Sequence, residues 1–283
     1  MNHVKNDLLR GCYYRLSDGL DLLLGRRDSL IPPWRIIHDG SSSVDHFKSQ
    51  IPVYLKEVRQ FGLKPSDKVL DVGCGNGKLG IALTKYLTAE GSYEGFDIVA
   101  TAINWCSTNI TPKYPNFRFI HADVYNTHYN PQGKYQASEY RFPYKDETFD
   151  FVQLGSLFTH LVPESLDHYL AEIARVLKPN GICLITYYLL TPTSLRGIEA
   201  GWATNKFPFA YGSEVCRVAN KDDPEHVVAY DENFIRSIYL KHGLHVEEPI
   251  VYGKWWWGDA GDQDMIKGVK TSNRSTSIGP NQR

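Results

Sequence analysis

Val69-Leu-Asp-Val-Gly-Cys-Gly-Asn-Gly77 is the stretch on which the reading of this chain turns. An apolar run carrying one acid breaks into glycines at positions 73, 75 and 77, and Lys78-Leu-Gly-Ile-Ala-Leu-Thr-Lys-Tyr-Leu87 follows with helical character. That order predicts a strand over Lys68–Val72, a tight turn, and a helix over Gly77–Leu87. Glycines reach positive φ and carry no Cβ, so a bound group can rest on main-chain N–H groups at the helix start.

The spacing narrows the ligand. A dinucleotide fingerprint places its third glycine three residues after its second. Here Gly77 comes two after Gly75, and position 78 is lysine. Asp71 stands two residues before the first glycine, where a carboxylate repels a pyrophosphate and attracts an ammonium group. The ligand so described has a cationic amino-acid end, which favours S-adenosylmethionine over NAD.

Asp71-Val-Gly-Cys-Gly-Asn-Gly77 resembles the first motif of the class I S-adenosylmethionine-dependent methyltransferases, and later segments keep the family's order. The resemblance is close over residues 65–188; outside them it is looser and points to bacterial small-molecule and sugar methyltransferases. It implies an α/β fold: a Rossmann-like, seven-stranded, mostly parallel sheet flanked by helices, its last strand antiparallel, with an N-terminal helical lid and an inserted cap. It also implies S-adenosylmethionine as cofactor, with Asp71, Gly73, Cys74, Gly75 and Gly77 at the turn that receives it. Asp97, 20 residues past Gly77 and followed by Ile98, takes the ribose hydroxyls. Asp123 and the amide of Val124 take the adenine, and Leu154 with Gly155 lines the sulfur end. Lys78 departs from the arginine common in the looser relatives.

Composition sets outer bounds. The 283 residues, 42% apolar and 22% charged, suit one large core or two modest ones. A formal charge of -1 offers no general attraction to phosphate backbones, so nucleic acid is not an expected partner. Cys12, Cys74, Cys106, Cys183 and Cys216 are scattered and odd in number, which argues against a disulfide framework and against a metal site. Lys5, Asp7, Arg10, Arg15 and Asp18 interrupt the leucines of the first thirty residues, unlike a signal peptide. The longest apolar run, Gly181–Leu190, is far shorter than the roughly 20 residues that span a bilayer. A soluble, cytoplasmic protein without membrane partners is expected, and nothing in the sequence specifies its oligomeric state.

Residues 1–62 are read as a helical arm, either packing or covering the site as a lid. Its leucines and tyrosines up to Leu23 are helically spaced, Ile31-Pro-Pro-Trp-Arg35 breaks the helix, and a cap before Phe47–Phe61 starts another. Trp34 and His38 in the arm are assigned to the acceptor side. The core, residues 63–190, continues with strands Ser92–Asp97, Phe117–Asp123 and Phe149–Leu154, each of the first two ending in an acid as Lys68–Val72 nearly does. Between the last two lies a long tyrosine-rich loop, Tyr125–Tyr144; its Asn130-Pro131 lacks the second proline of the amino-group methyltransferase motif.

His160 is the candidate catalytic group, since an imidazole exchanges protons near neutral pH; its plainer reading is a histidine that braces a helix start. A helix Asp167–Leu177, a turn Lys178–Gly181 and a buried strand Ile182–Leu190 follow. Tyr187 and Tyr188 are both acceptor-side candidates, with one expected to face substrate and the other to pack. Residues 191–230 form the inserted cap and 231–270 the last helix and two closing strands; Trp255, Trp256 and Trp257 make a stacking platform or seal an edge. The polar stretch 271–283 is read as a disordered tail.

The activity expected is S-adenosylmethionine-dependent methylation of a small-molecule or sugar hydroxyl, with a small-molecule acceptor as partner. A methyltransferase fold kept for binding alone would not need the full set of glycines and acids. An RNA or protein methyltransferase would place lysines and arginines beside the site, where the sequence offers only Arg26-Arg27. A dehydrogenase is disfavoured by the position of Gly77.

Overall fold

The computed structural model describes residues 18–20, 24–25, 28–38, 40–202, 209–257 and 262–272. The helices expected before residue 18, Arg26-Arg27 and the tail beyond residue 272 lie outside them. Helix α1 spans Val44–Gln60, and extended Ser43 caps it by accepting the His46 N–H. There follow β1 (Lys68–Val72), α2 (Lys78–Leu83), β2 (Ser92–Asp97), α3 (Ala100–Asn109), β3 (Phe117–His121) and β4 (Phe149–Leu154). The chain continues through α4 (Pro163–Val176), β5 (Leu177–Tyr187), β6 (Leu189–Leu190), α5 (Pro192–Glu199), β7 (Tyr211–Gly212), β8 (Cys216–Val218) and β9 (Val228–Asp231). It closes with α6 (Glu232–Lys241), β10 (Leu244–Val251) and β11 (Asp264–Lys270).

Seven strands form a sheet in the order β10-β11-β5-β4-β1-β2-β3. The pairs β1–β2, β1–β4 and β2–β3 are parallel, while β11 runs antiparallel to both β5 and β10. This is the Rossmann-like arrangement with an antiparallel last strand that the resemblance implies. Among the described residues, no helix is long and apolar enough to cross a membrane.

Contacts gather into two units, one within residues 1–140 and 151–158, the other within 141–150 and 159–283. In the first, Val69, Leu70, Val72, Tyr93, Phe96 and Phe117 are buried, as near-continuous apolar strands covered on both faces should be. In the second, Tyr169, Ile173, Leu184, Ile185 and Tyr239 are buried, and Asp231 caps α6 by accepting the Phe234 N–H.

Two expectations are corrected in detail. Helix α2 stops at Leu83 instead of reaching Leu87, because the Thr84 hydroxyl turns back onto the Ile81 carbonyl at 2.7 Å and competes with the helix ladder. Strand β5 starts at Leu177, although Lys178–Gly181 carries turn chemistry. The bend is there, with Asn180 at a φ of 63°, but Lys178 Nζ grips both oxygens of Asp150 at 2.7 Å and the strand carries through. Beside α5 lies a second, four-stranded sheet in the order β6-β9-β8-β7, which begins before residue 191.

One polar cluster holds residues 141–150 against α4. Glu172 accepts the Phe142 N–H at 2.7 Å and the Arg175 guanidinium at 2.6 and 2.8 Å. Arg175 also reaches the carbonyls of Tyr144 and Phe142 and the carboxylate of Asp146. Arg175→Ala would strip a largely buried carboxylate of its cation, and a loss of roughly 3 kcal/mol is expected. Equilibrium urea unfolding measures it; a loss below about 1 kcal/mol would show the cluster to be a surface ion pair in energetic terms.

Candidate functional site

The site of the first unit is built on the turn between β1 and α2. Gly73, Gly75 and Gly77 have φ of 76°, 51° and 76°, the left-handed region that a side chain disfavours. The amides of Gly73 and Cys74 both donate to the Phe96 carbonyl, at 2.9 and 3.0 Å, which ties the turn to the end of β2. The Gly77 N–H closes the turn on Cys74 O at 2.9 Å, and Ile81 N–H donates to Gly77 O to start α2. A Cβ on Gly77 would lie 3.0 Å from Cys106 Sγ, so both conformation and space call for glycine.

Asp97 at the end of β2 braces this turn. Its Oδ2 accepts the Gly75 N–H and its Oδ1 the Val99 N–H, each at 2.8 Å. The two readings of this residue, ribose acceptor and helix brace, are therefore compatible: a carboxylate accepts about four hydrogen bonds, and the Gly75, Val99 and Ile98 amides leave it capacity for a further donor. Burial pushes its carboxyl above the usual range, against the pull of the backbone donors. Ile98 beside it is partly buried, with its carbonyl 3.1 Å from His121 Nε2.

Asp71 is buried in β1 with Oδ2 accepting the Tyr93 hydroxyl at 2.7 Å. Burial, and the nearby charge of Asp97, push it to about 7 in spite of that donor. Gly95 makes room for the pair, since a Cβ there would stand 2.9 Å from the Tyr93 oxygen. Cys74 contributes its backbone; its thiol is buried and pushed far above the ordinary thiol range, first by desolvation.

Asp123 is partly exposed, 3.4 Å from Lys134 Nζ, and its carbonyl receives the amides of Lys134 and Tyr135. Val124 is buried, and its carbonyl accepts Asn130 Nδ2 at 3.0 Å. The long loop is thus pinned back on itself beside the third acid, with Asn126 and Asn130 exchanging backbone hydrogen bonds at 3.1 Å. Leu154 is fully buried and Gly155 partly exposed, and Leu157 covers Gly73 at 3.4 Å from its Cβ position.

The arm brings residues to the turn that the sequence reading missed. Gln50 Oε1 accepts Lys78 Nζ, and that buried ammonium lies 5.4 and 5.8 Å from the ring centroids of Phe47 and Tyr54. Tyr54 also comes within 3.8 Å of the Cβ position of Gly155. The His38 N–H points at Asn76 Oδ1 at 3.4 Å, with its side chain exposed, and Trp34 sits partly exposed in a short 3-10 turn. The signal was available: Phe47, Gln50 and Tyr54 recur at 3.6-residue spacing, so one helix face carries all three.

The remaining candidates belong to the second unit. His160 lies in the 3-10 turn Phe158–His160, with Nδ1 3.2 Å from the Glu225 carbonyl. A carbonyl only accepts, so this bond puts the proton on Nδ1 and the basic lone pair on Nε2. Of the two adjacent tyrosines, Tyr187 is the one that packs: it is fully buried with its hydroxyl 3.0 Å from that of Tyr239. Tyr188 is partly buried against Phe209 and Trp255, with ring centroids 5.8 and 5.1 Å away. The tryptophan run divides: Trp255 donates to buried Asp264 at 2.8 Å, Trp256 covers Gly197, and Trp257 is 56% exposed.

S-adenosylmethionine fits this donor set. Left-handed glycines leave the backbone of the turn open to close approach, Asp97 keeps acceptor capacity for hydroxyls, and Asp71 supplies a carboxylate for a cation. Two buried polar atoms at the same end of the sheet, Asn76 Nδ2 and Gln153 Oε1, have no hydrogen-bond partner.

The state of Asp71 sets a pH dependence. Its carboxyl ionises near 3.8 in an unfolded chain and at about 7 in the fold. Between those values the native state holds a proton that the unfolded state has released, so stability from this group is full below the first and falls away up to the second. Relative to Asp71→Asn, the wild type is expected to lose melting temperature from pH 4 to pH 7, worth a few kcal/mol at about 1.4 kcal/mol per unit, and to level off above. Thermal melts across pH test this; a gap between the two proteins that ignores pH would refute it.

Residues 63–231 match the family model described as "Methyltransferase domain". A demethylmenaquinone methyltransferase of Lysinibacillus sphaericus is 30% identical over 151 residues, covering 53% of this chain and 57% of that protein. The chain spans about half the length of the curated relatives it matches first. Among solved structures, a SAM-dependent methyltransferase from Aquifex aeolicus is 20% identical, with 80% of this chain and 97% of that chain covered and a TM-score of 0.49. The [4+2]-cyclase SpnF is 14% identical over 83% of this chain and 84% of its own, with a TM-score of 0.52, which is a likeness of fold. With more than half of its length inside the family match, and the glycine turn and successive strand-end acids in place, the chain belongs to the methyltransferase domain family, within the class I S-adenosylmethionine-dependent methyltransferases.

Proposed function

We propose that this protein transfers the methyl group of S-adenosylmethionine to a hydroxyl of a small, ring-containing molecule. The observation that carries the cofactor half is the Asp97 carboxylate, which fixes the glycine turn through Gly75 and the next helix through Val99 while keeping lone pairs for a sugar diol. The acceptor half draws on the relatives named for demethylmenaquinone and 2-phytyl-1,4-naphtoquinone, which are quinones, and on the formal charge of -1, which suits no polyanion. The sugar class suggested by the looser sequence resemblance is the narrower version of the same proposal.

The bound cofactor supplies an electrophilic methyl carbon on a positively charged sulfur. What the chain supplies is position and protection. Asp71 meets the cationic amino-acid end, Asp97 and Ile98 the ribose, Asp123 and Val124 the adenine, and Leu154 with Gly155 the region of the sulfur. Holding two reactants in line is worth up to about 7–11 kcal/mol, so most of the rate enhancement needs no chemical group at all. The arm, through Trp34, His38 and Tyr54, covers the site and keeps water from competing with the acceptor. Tyr188 serves as an aromatic contact on the acceptor side. His160 takes the hydroxyl proton on Nε2, with Nδ1–H held by the Glu225 carbonyl.

Calorimetric titration with S-adenosylmethionine and S-adenosylhomocysteine tests the cofactor half. Asp97→Ala removes two charge-assisted hydrogen bonds from the turn, and a loss of affinity of about 100-fold or more is expected. Folded wild type that binds neither compound would sink the proposal. For the acceptor half, His160→Ala should lower kcat by about 100-fold or more with S-adenosylhomocysteine affinity unchanged. Unchanged turnover across pH would remove His160 from the mechanism.

A further inference from the structure

We infer that Gln153 is a second, neutral acceptor for the ammonium of the cofactor's amino-acid end, working beside Asp71, with Asn76 as the matching donor for its carboxylate. The inference rests on the cofactor reading above and deepens it.

Gln153 is out of place as a structural residue. Strand β4 reads Phe149-Asp-Phe-Val-Gln-Leu154, and Phe149, Phe151, Val152 and Leu154 are all buried to within 1%. A parallel strand covered on both faces calls for an aliphatic residue at the next buried position. The chain instead buries glutamine there, 4% exposed, with Oε1 lacking any hydrogen-bond partner. A buried unsatisfied oxygen costs stability, so its retention needs a reason outside the packing.

Its neighbours supply the reason. Asp71 of β1 is the register partner of Gln153, and Gly95 of β2 is the register partner of Asp71, so the three positions form one row across parallel strands and share a face. The row has an amide, a carboxylate and a glycine, whose missing side chain leaves room for the Tyr93 hydroxyl and the Cys74 thiol. Gln153 Nε2 lies 3.7 Å from the Cβ position of Gly155, the point that Tyr54 approaches to 3.8 Å. The amide is thus directed along β4 to its carboxyl end, where open α/β sheets hold their ligands.

A complementary orphan sits on the turn. Asn76 is 1% exposed; its Oδ1 faces the His38 N–H at 3.4 Å, and its Nδ2 has no partner. One end of the site therefore presents an unpaired acceptor and an unpaired donor next to a carboxylate. An α-amino acid group carries the opposite pair, an ammonium that donates and a carboxylate that accepts. A ligand made of the adenosine half alone would satisfy neither atom.

The test separates the two halves of the ligand. S-adenosylhomocysteine keeps the amino-acid end, and 5′-methylthioadenosine has the adenosine and thioether without it. For Gln153→Leu, the affinity for S-adenosylhomocysteine should fall at least about tenfold, while that for 5′-methylthioadenosine stays within about twofold. The ligand-free Leu variant should melt at or above the wild-type temperature, because it removes an unsatisfied polar group from an apolar strand. Gln153→Glu should retain S-adenosylhomocysteine binding, since it keeps an acceptor at the same reach. Gln153→Met, unbranched and similar in volume, repeats the test if leucine disturbs the fold. Equal losses for both ligands, no loss for either, or a Leu variant that melts lower with ligand affinity unchanged would each overturn the inference and make Gln153 structural. Wild type that fails to bind S-adenosylhomocysteine would overturn the cofactor reading itself, an outcome distinct from these.

Discussion

The bond on which the first unit depends is the one between the Asp97 carboxylate and the amides of Gly75 and Val99. Three glycines in five residues give up much backbone freedom on folding, and something must hold the turn they make. The strand pairing supplies the rest of the clamp, because β1 and β2 run parallel in a register that pairs Val72 with Phe96, and the Phe96 carbonyl then meets the amides of Gly73 and Cys74. One residue's shift in that register would turn every side chain of β1 to the opposite face and move Asp71 away from Tyr93. The glycine turn, the buried acids and the start of α3 are therefore consequences of a single alignment.

Much of this was legible in the sequence, for reasons that can be named. Glycine spacing is read directly because positive φ and missing Cβ atoms are properties of the residue itself. The strand-end acids stand out because a charged group at the edge of an apolar run has no packing explanation. Ser43 is a cap in the sequence and a cap in the fold, since capping is local. What escaped was set by partners far along the chain. Tyr187 and Tyr188 are adjacent and alike, and only the pairing of Tyr187 with Tyr239, 52 residues on, sends the first into the core. The second sheet is built from strands of two to four residues, too short to show a period of two. Lys78 has no partner legible in the local sequence, because Gln50, Phe47 and Tyr54 reach it from α1.

That burial of Lys78 has its own logic. A lone ammonium taken out of water needs compensation. Here it comes from an amide oxygen and the faces of two aromatic rings, all on one side of α1. The arm and the helix after the glycine turn are in this way joined by a polar contact that forms only when α1 is seated. A purely apolar contact at that place would hold the arm as well but would tolerate rotation of α1; the ammonium needs its acceptor at one point. The contact thus fixes where Tyr54 stands relative to Gly155.

The residues around the turn share a further property: each is costly as it stands. Asp71 is desolvated enough to hold a proton to about 7, Asp97 is raised by burial, and Asn76 and Gln153 each bury an unpaired polar atom. The neighbouring apolar strands could have absorbed these positions at lower cost, as they do with Val69, Leu70 and Val152. A molecule that carries a cation and polar groups into this end of the sheet relieves several of those costs at once, and whatever it relieves appears as affinity. Binding an ammonium beside Asp71 would also draw that carboxyl toward its charged form, so a proton leaves as the ligand arrives. The same cluster that weakens the fold in isolation is then what makes the site selective, because a ligand without the charged end leaves the carboxylate and both amides as they were.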